Sequence, residues 1–190
     1  MAINRKQLIV DAATRSFTLF GYKATTMDQV AKLANVGKGT IYTFYKNKEE
    51  LFEEIVSSLI KEMKTAAEET FVEEETFYQN AHRALYRILE FQKEHQLLIK
   101  LLQEEKEMGT ASVLEMVKTM EQTIIKYIEE KVTIAISKGE ISPCNPALTS
   151  FVMYKLYISL FFEWEKDHHA LQEEEIAELF KMYLFKGLSI

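Results

Sequence analysis

Two prolines, Pro143 and Pro146, and six glycines are the only strong helix breakers in the 190-residue chain. With so few interruptions, and with Glu, Lys, Leu, Ile, Met and Ala abundant, little in the sequence stops a helix once it has begun. The expected fold class is therefore all-α. A hydrophobic content of 47 % supplies a core and argues against disorder. The length suits one ordinary domain, or a small domain fused to a larger one. No window holds 18 uncharged apolar residues, so no membrane span is expected. The early charges Arg5, Lys6 and Asp11 are followed by no apolar h-region, and no secretory signal is expected. The single Cys144 has no partner for an internal disulfide, which fits a reducing cytoplasm.

The net charge of −6 is unevenly divided. Residues 1–48 carry eight bases (Arg5, Lys6, Arg15, Lys23, Lys32, Lys38, Lys46, Lys48) against Asp11 and Asp28, a balance of +6. Residues 49–190 hold 15 bases and 27 acids, a balance of −12. A basic head on an acidic body is the pattern of a nucleic-acid-binding segment carried by a larger domain.

The arrangement of the head supports that reading. The periodicity predicts a first helix from about Arg5 to Phe20, with Ile9, Ala12, Ala13, Ser16, Phe17 and Phe20 as one inward stripe. Gly21 stands where a helix end favours a left-handed residue, and Tyr22 can fold back onto the core. Either Thr25 or Thr26 can cap a second helix, and Thr26-x-x-Gln29 has capping-box spacing. Met27, Val30, Ala31, Leu33 and Ala34 are expected to supply that helix's buried face. After the turn Asn35-Val36-Gly37 a third helix starts at once with Lys38-Gly39-Thr40-Ile41-Tyr42-Thr43. Two short helices joined by a tight glycine-containing turn describe a helix-turn-helix. The bare backbones of Gly37 and Gly39 allow close approach to DNA, and Lys38, Thr40 and Thr43 offer polar side chains from the part of a recognition helix that enters the major groove. Lys46 and Lys48 suit backbone phosphates. Asn47 can cap a fourth helix opening with Glu49-Glu50 at its positive end. The alternative is a basic helical hairpin with no DNA role, which would favour Ala, Glu and Leu where this chain has Gly, Lys, Thr and Tyr.

The run Phe17-x-x-Phe20-Gly21-Tyr22-x-x-Thr25-Thr26-x-x-x-Val30-Ala31-x-x-Ala34-x-Val36-x-Lys38-Gly39-Thr40-Ile41-Tyr42-x-x-Tyr45-x-x-Lys48-Glu49-x-Leu51 resembles the DNA-binding signature of the TetR (tetracycline repressor) family. The resemblance implies a three-helix helix-turn-helix head (1–48) joined by a linking helix to a helical-bundle body (49–190) for ligand binding and dimerisation. It further implies phosphate contacts from Thr26, Tyr42 and Lys48, with Lys38, Gly39, Thr40 and Thr43 facing bases or the groove-side backbone. The DNA-binding set is thus Thr25, Thr26, Gly37, Lys38, Gly39, Thr40, Tyr42, Thr43, Lys46 and Lys48. Phe44 departs from the pattern, standing where the family often has a DNA-contacting histidine. Tyr45 replaces the usual core Phe, and Gly37 replaces a small hydroxyl residue.

In the body, the fourth helix is expected from Lys48 into the mid-60s, with Leu51, Phe52, Ile55, Val56, Leu59 and Met63 inward. Further helices are expected near 75–92, 96–106, 111–138, 147–166 and 173–187. The stretch 147–164 leaves almost no polar face, so it must be buried all round. One solution is for it to face its own core on one side and a second subunit on the other; the alternative is the central helix of a monomer. With the stripe of the last helix it gives a homodimer interface of Phe151, Tyr154, Ile158, Phe161, Phe162, Ile176, Leu179, Phe180, Tyr183 and Leu184. The resemblance implies the same dimer arrangement.

Candidate lining for a small-molecule effector is Phe77, Tyr86, Phe91, Met108, Met116, Met120, Tyr127, Met153 and Tyr157, large or adaptable side chains that suit an apolar ligand but serve equally as core. Glu104, Glu105 and Glu107 read as a solvated face with a secondary use against a cationic ligand, and His82 and Arg87 as partners for an acidic one. Glu165-x-x-His168 matches half of a di-iron motif, but no second copy exists, and no metal, cofactor or enzymatic activity is expected. The chain reads as a bacterial cytoplasmic repressor that binds a pseudo-palindromic double-stranded operator as a dimer and leaves it when effector binds. A DNA-bound activator or partner-binding protein of the same fold is the alternative.

Overall fold

A computed structural model describes residues 4–107 and 109–188, and among them only helices and their connections occur. The order is α1 (Arg5–Ala24), α2 (Met27–Leu33), α3 (Lys38–Phe44), α4 (Lys48–Glu68), α5 (Phe77–Glu94), α6 (Gln96–Glu107), α7 (Ala111–Ser137), α8 (Pro146–Ile158) and α9 (Glu173–Phe180). The last two do not run on as plain α-helix. A π turn (Ser159–Glu163) and a 3₁₀ turn (Trp164–Lys166) follow α8, and a π turn (Lys181–Phe185) follows α9, before the short α10 (Lys186–Leu188). A π turn carries about one residue more than an α turn, a local change that a reading based on the 3.6-residue period does not anticipate.

The helix starts follow from their capping residues. Asn4 accepts from the Gln7 amide, Asn47 from the Glu50 amide at 2.8 Å and Asn145 from the Leu148 amide, with Pro146 in the first turn of α8. At α2, Thr26 Oγ1 accepts from Gln29 N (3.3 Å) and Gln29 Oε1 accepts from Thr26 N (2.8 Å), a reciprocal capping box.

The chain forms two compact units that are not consecutive in sequence. The first gathers the described residues up to Met63 with Gln92–Met120; the second gathers Lys64–Phe91 with the residues from Glu121 onward. In the first unit α1 packs on α2, α3 and α6. Ile9, Phe17, Val30, Ile41, Leu51, Val56 and Val113 are completely buried there, whereas Phe20 (58 %) and Leu33 (51 %), expected inward, lie at the edges of their stripes and are exposed. Phe17, Tyr22 and Phe52 form an aromatic cluster with ring centroids 4.5–5.8 Å apart. In the second unit Leu85, Leu89, Val132, Ile141, Met153, Ile176, Phe180 and Phe185 share one core.

Candidate nucleic-acid interface

The first unit builds its exposed surface from three short segments. Gly21, at φ 81°, breaks α1 in the left-handed region and turns Tyr22 inward. Asn35, at φ 52°, makes the turn between α2 and α3, with Val36 N donating to Ala31 O (3.0 Å) and Thr40 N to Gly37 O (2.8 Å). Ile41 and Tyr45 then pin α3 to the core at 0 % and 1 % exposure. The Tyr45 hydroxyl reaches the rim, donating to Glu54 Oε1 at 3.0 Å. This packing leaves the opposite side of α3 in solvent.

The ten candidate residues divide accordingly. Thr26, Gly37, Lys38, Gly39, Tyr42, Thr43 and Lys46 are exposed, and Thr40 is half-buried. A Cβ at Gly39 would meet nothing within 4 Å, so that backbone lies fully open. Lys38 Nζ lies 2.9 Å from Asp28 Oδ2, a surface ion pair that ties α3 to α2. Thr43 donates its hydroxyl to Thr40 O (2.7 Å). Phe44 is 39 % exposed and presents a ring with no donor. Thr25 corrects the expectation for its side chain: it is completely buried, donating to Gly21 O (2.9 Å) and lying 3.0 Å from Ser16 Oγ. It braces Thr26 from inside and has no side-chain surface left to offer.

Lys48 is engaged within the unit. Its ammonium donates to Tyr22 O (2.8 Å) and Thr25 O (3.0 Å) and sits 4.1 Å above the Tyr22 ring centroid. Burial pushes its pKa below the ordinary lysine value. Burial likewise pushes the Tyr22 phenol up to about 12; its hydroxyl donates to Glu49 Oε1 (2.8 Å) and lies 3.2 Å from Ser112 Oγ.

Glu104 is a second residue that sequence reasoning misplaced. It is 2 % exposed rather than solvated, and its carboxylate accepts from Tyr22 N (2.6 Å, Oε2) and Lys23 N (2.9 Å, Oε1). Glu107 is exposed and Glu105 half-buried.

In the second unit, Phe77 and Met153 belong to the core, with Tyr86 and Tyr157 packed against it. Phe91 is buried there, while Tyr127 is half-buried with Lys64 and Lys131 near its ring face at 4.9 and 5.1 Å. Met116 and Met120 belong to the first unit, and Met108 lies outside the described residues. An open cleft of about 640 Å³ lined by Trp164, Asp167, His168, His169, Ala170, Leu171 and Glu175 contains none of the expected lining residues. His168 is stacked on Trp164 at 3.8 Å, and no group of three His, Cys, Asp or Glu suited to a metal occurs among the described residues. No helix among them is long and apolar enough to cross a membrane.

Of the expected interface residues, Phe151 and Tyr183 are exposed, while Ile158, Phe161, Phe162, Leu179 and Leu184 are half-buried. Tyr154, Ile176 and Phe180 are buried in their own unit at 4 %, 1 % and 3 % exposure, which leaves them almost no area for a second subunit. Leu148 (60 %) and Val152 (42 %), which belong to the apolar 147–164 stretch, and Met182 (49 %) are exposed apolar residues outside the expected interface set.

Two short helices joined by a tight left-handed turn, the second pinned on one side and open on the other, define a helix-turn-helix protein. A sequence profile of bacterial regulatory proteins of the tetR family matches residues 9–55. The HTH-type transcriptional regulator YhgD of Bacillus subtilis (strain 168), itself uncharacterised, is 59 % identical over 189 residues, covering 100 % of this chain and 99 % of that protein. This chain belongs to the TetR family of helix-turn-helix transcriptional regulators. Among solved structures, FadR of Bacillus subtilis in complex with stearoyl-CoA is similar in fold, with a TM-score of 0.71, 20 % identity and coverage of 91 % of this chain and 96 % of that one. AibR in complex with isovaleryl coenzyme A and operator DNA gives a TM-score of 0.67 at 19 % identity, covering 94 % and 97 %.

Proposed function

We propose that this regulator is a repressor that binds a pseudo-palindromic operator as a homodimer and is released when a small, mainly apolar ligand binds its C-terminal body. The observation that carries the DNA half of this reading is the one-sided exposure of α3. Lys38, Tyr42, Thr43 and the open backbone of Gly39 face solvent while Ile41 and Tyr45 hold the helix from behind. A recognition helix needs such a free face to enter the major groove. In this reading Thr26, Tyr42, Lys46 and the N-terminal end of α4 at Lys48 approach phosphates, and Lys38, Thr40 and Thr43 approach bases.

Dimerisation is supported by the apolar side chains that α8 and the π turn after α9 leave in water, chiefly Leu148, Phe151, Val152, Met182 and Tyr183. A twofold partner would cover them and set two recognition helices at half-sites one helical turn, about 34–36 Å, or a multiple apart. For the ligand, the acyl-CoA thioesters named with FadR and AibR are the first class to test, because the aromatic and aliphatic core of the second unit, with Met153 in it, suits an acyl chain.

The experiment is selection of genomic fragments by the purified protein, followed by titration of the recovered operator complex with stearoyl-CoA, isovaleryl-CoA and free coenzyme A. Recovery of an inverted repeat that an acyl-CoA dissociates and free coenzyme A does not is the expected result. Fragments without a repeat would reject the dimeric operator, and a complex indifferent to both thioesters would reject that ligand class.

A further inference from the structure

Glu104 lies 56 positions beyond the last residue of α2–α3's basic head as read from sequence, yet it is built into that head. A buried carboxylate is costly unless it is hydrogen-bonded, and here two backbone amides satisfy it, those of Tyr22 and Lys23. Gly21 makes the approach feasible. A Cβ placed there would fall 2.6 Å from Glu104 Oε2 and push the carboxylate aside, and at a φ of 81° any other residue would be strained as well. From the other side the Lys48 ammonium takes the carbonyls of Tyr22 and Thr25. The junction between α1 and α2 thus has its N–H groups held by a carboxylate on α6 and its C=O groups by an ammonium on α4.

The junction leads directly into the DNA-facing surface. Thr25 is held by Lys48, and the next residue, Thr26, is the N-cap from which α2 starts. Apolar packing already attaches α6, through Leu97, Leu98, Leu101 and Leu102. The carboxylate adds what apolar packing lacks, a fixed direction for two particular amides. We infer that Glu104 is a positioning residue for operator binding: it sets the α1–α2 junction, and through it the orientation of α2 and α3, without touching DNA. The inference rests on the DNA-binding reading above.

The charge of Glu104 gives the test an informative sign. A carboxylate acting only through its field repels phosphate, so neutralising it tightens binding. A carboxylate acting by holding amides does the opposite. In Glu104→Gln the size is kept, but one amide then faces an NH₂ group. Operator affinity, measured by fluorescence anisotropy on a fragment recovered by selection and at a temperature where both proteins are folded, is expected to fall about tenfold. The amide proton resonances of Tyr22 and Lys23 are expected to shift in the same variant. Glu105→Gln, the same charge change one position on, is expected to leave affinity unchanged. Equal or tighter binding by Glu104→Gln overturns the inference.

A wild-type measurement covers the case in which that variant does not fold. Operator binding should slow hydrogen exchange at the Tyr22 and Lys23 amides of the full-length protein, and exchange unaltered by operator overturns the inference. Wild-type protein that retains no fragment overturns the DNA-binding reading and this inference with it.

Discussion

Lys46 and Lys48 stand two positions apart in a basic run, and their environments separate them. Lys46 is exposed, whereas Lys48 spends its ammonium on two backbone carbonyls inside the unit. Lys46→Ala is therefore expected to weaken all DNA similarly, to lower the salt slope by about one, and to leave the melting temperature unchanged. Lys48→Ala should lower operator affinity and melting temperature together, the latter through about 1–3 kcal/mol of lost bonding to buried carbonyls. Titrations at several salt concentrations beside thermal scans check both. A second expectation concerns Glu49, whose carboxyl is held below the ordinary carboxylate value chiefly by the Tyr22 hydroxyl. A depressed folded-state pKa contributes stability that is complete above the unfolded value of about 4.3 and is lost as pH falls through the folded one. Tyr22→Phe should return Glu49 toward its ordinary titration and flatten the acid limb of stability, as carbon-13 titration of the Glu49 carboxyl would read.

At the level of elements, α1 is the support of the head, and Phe17 is its central side chain, completely buried between Tyr22 and Phe52. Phe17→Ala is expected to destabilise by about 3–5 kcal/mol in chemical denaturation, since the surrounding helices cannot close the cavity. Most helices were legible from the 3.6-residue period and the caps: Asn47, Thr26 and Gly21 each do what their residue type and position suggest. Where legibility failed, the cause was specific. Glu104 sits in the run Glu104-Glu105-Lys106-Glu107, which has the composition of a solvated face. Its partners are backbone amides 81 and 82 residues away, and backbone amides carry no sequence signal. Thr25 was misplaced for a related reason, because adjacent threonines look alike until one turns inward. In the stripe from Ile176 to Leu184, periodicity identified an apolar face but not which part of it the chain's own core would take. Ile176 and Phe180 went inward and Tyr183 stayed in solvent.

For the whole molecule, the proposed dimer rests on the exposed apolar residues of α8 and the segment after α9. Tyr183, 69 % exposed, and Phe151, 44 % exposed, would each place a desolvated charge in a dimer interface if replaced by Glu. The double variant Phe151→Glu/Tyr183→Glu is expected to be monomeric at micromolar concentration by light scattering, and to lose the concentration dependence of its melting temperature. A wild-type protein that is itself monomeric under these conditions would refute the interface. The exposed charges of the two segments are also legible at this scale. The basic balance of residues 1–48 lies in the first unit, but α6, which completes that unit, comes from the acidic remainder. A split at residue 48 follows charge; the packing follows a different line.

The Glu104 contact also gives this protein a timetable. A ribosome that has delivered the whole basic segment has not yet delivered the carboxylate that holds its junction. Between Lys48 and Glu104 there remain about 56 residues, roughly 3–11 seconds of synthesis at ordinary bacterial rates. During that interval, and in any message cut short within it, the Tyr22 and Lys23 amides have no acceptor from α6. A truncated product would carry the positive charge of the head without its set geometry, and so would adhere to DNA weakly and without preference. In the proposed role of Glu104, placement of the reading surface thus waits until just over half of the 190 residues exist.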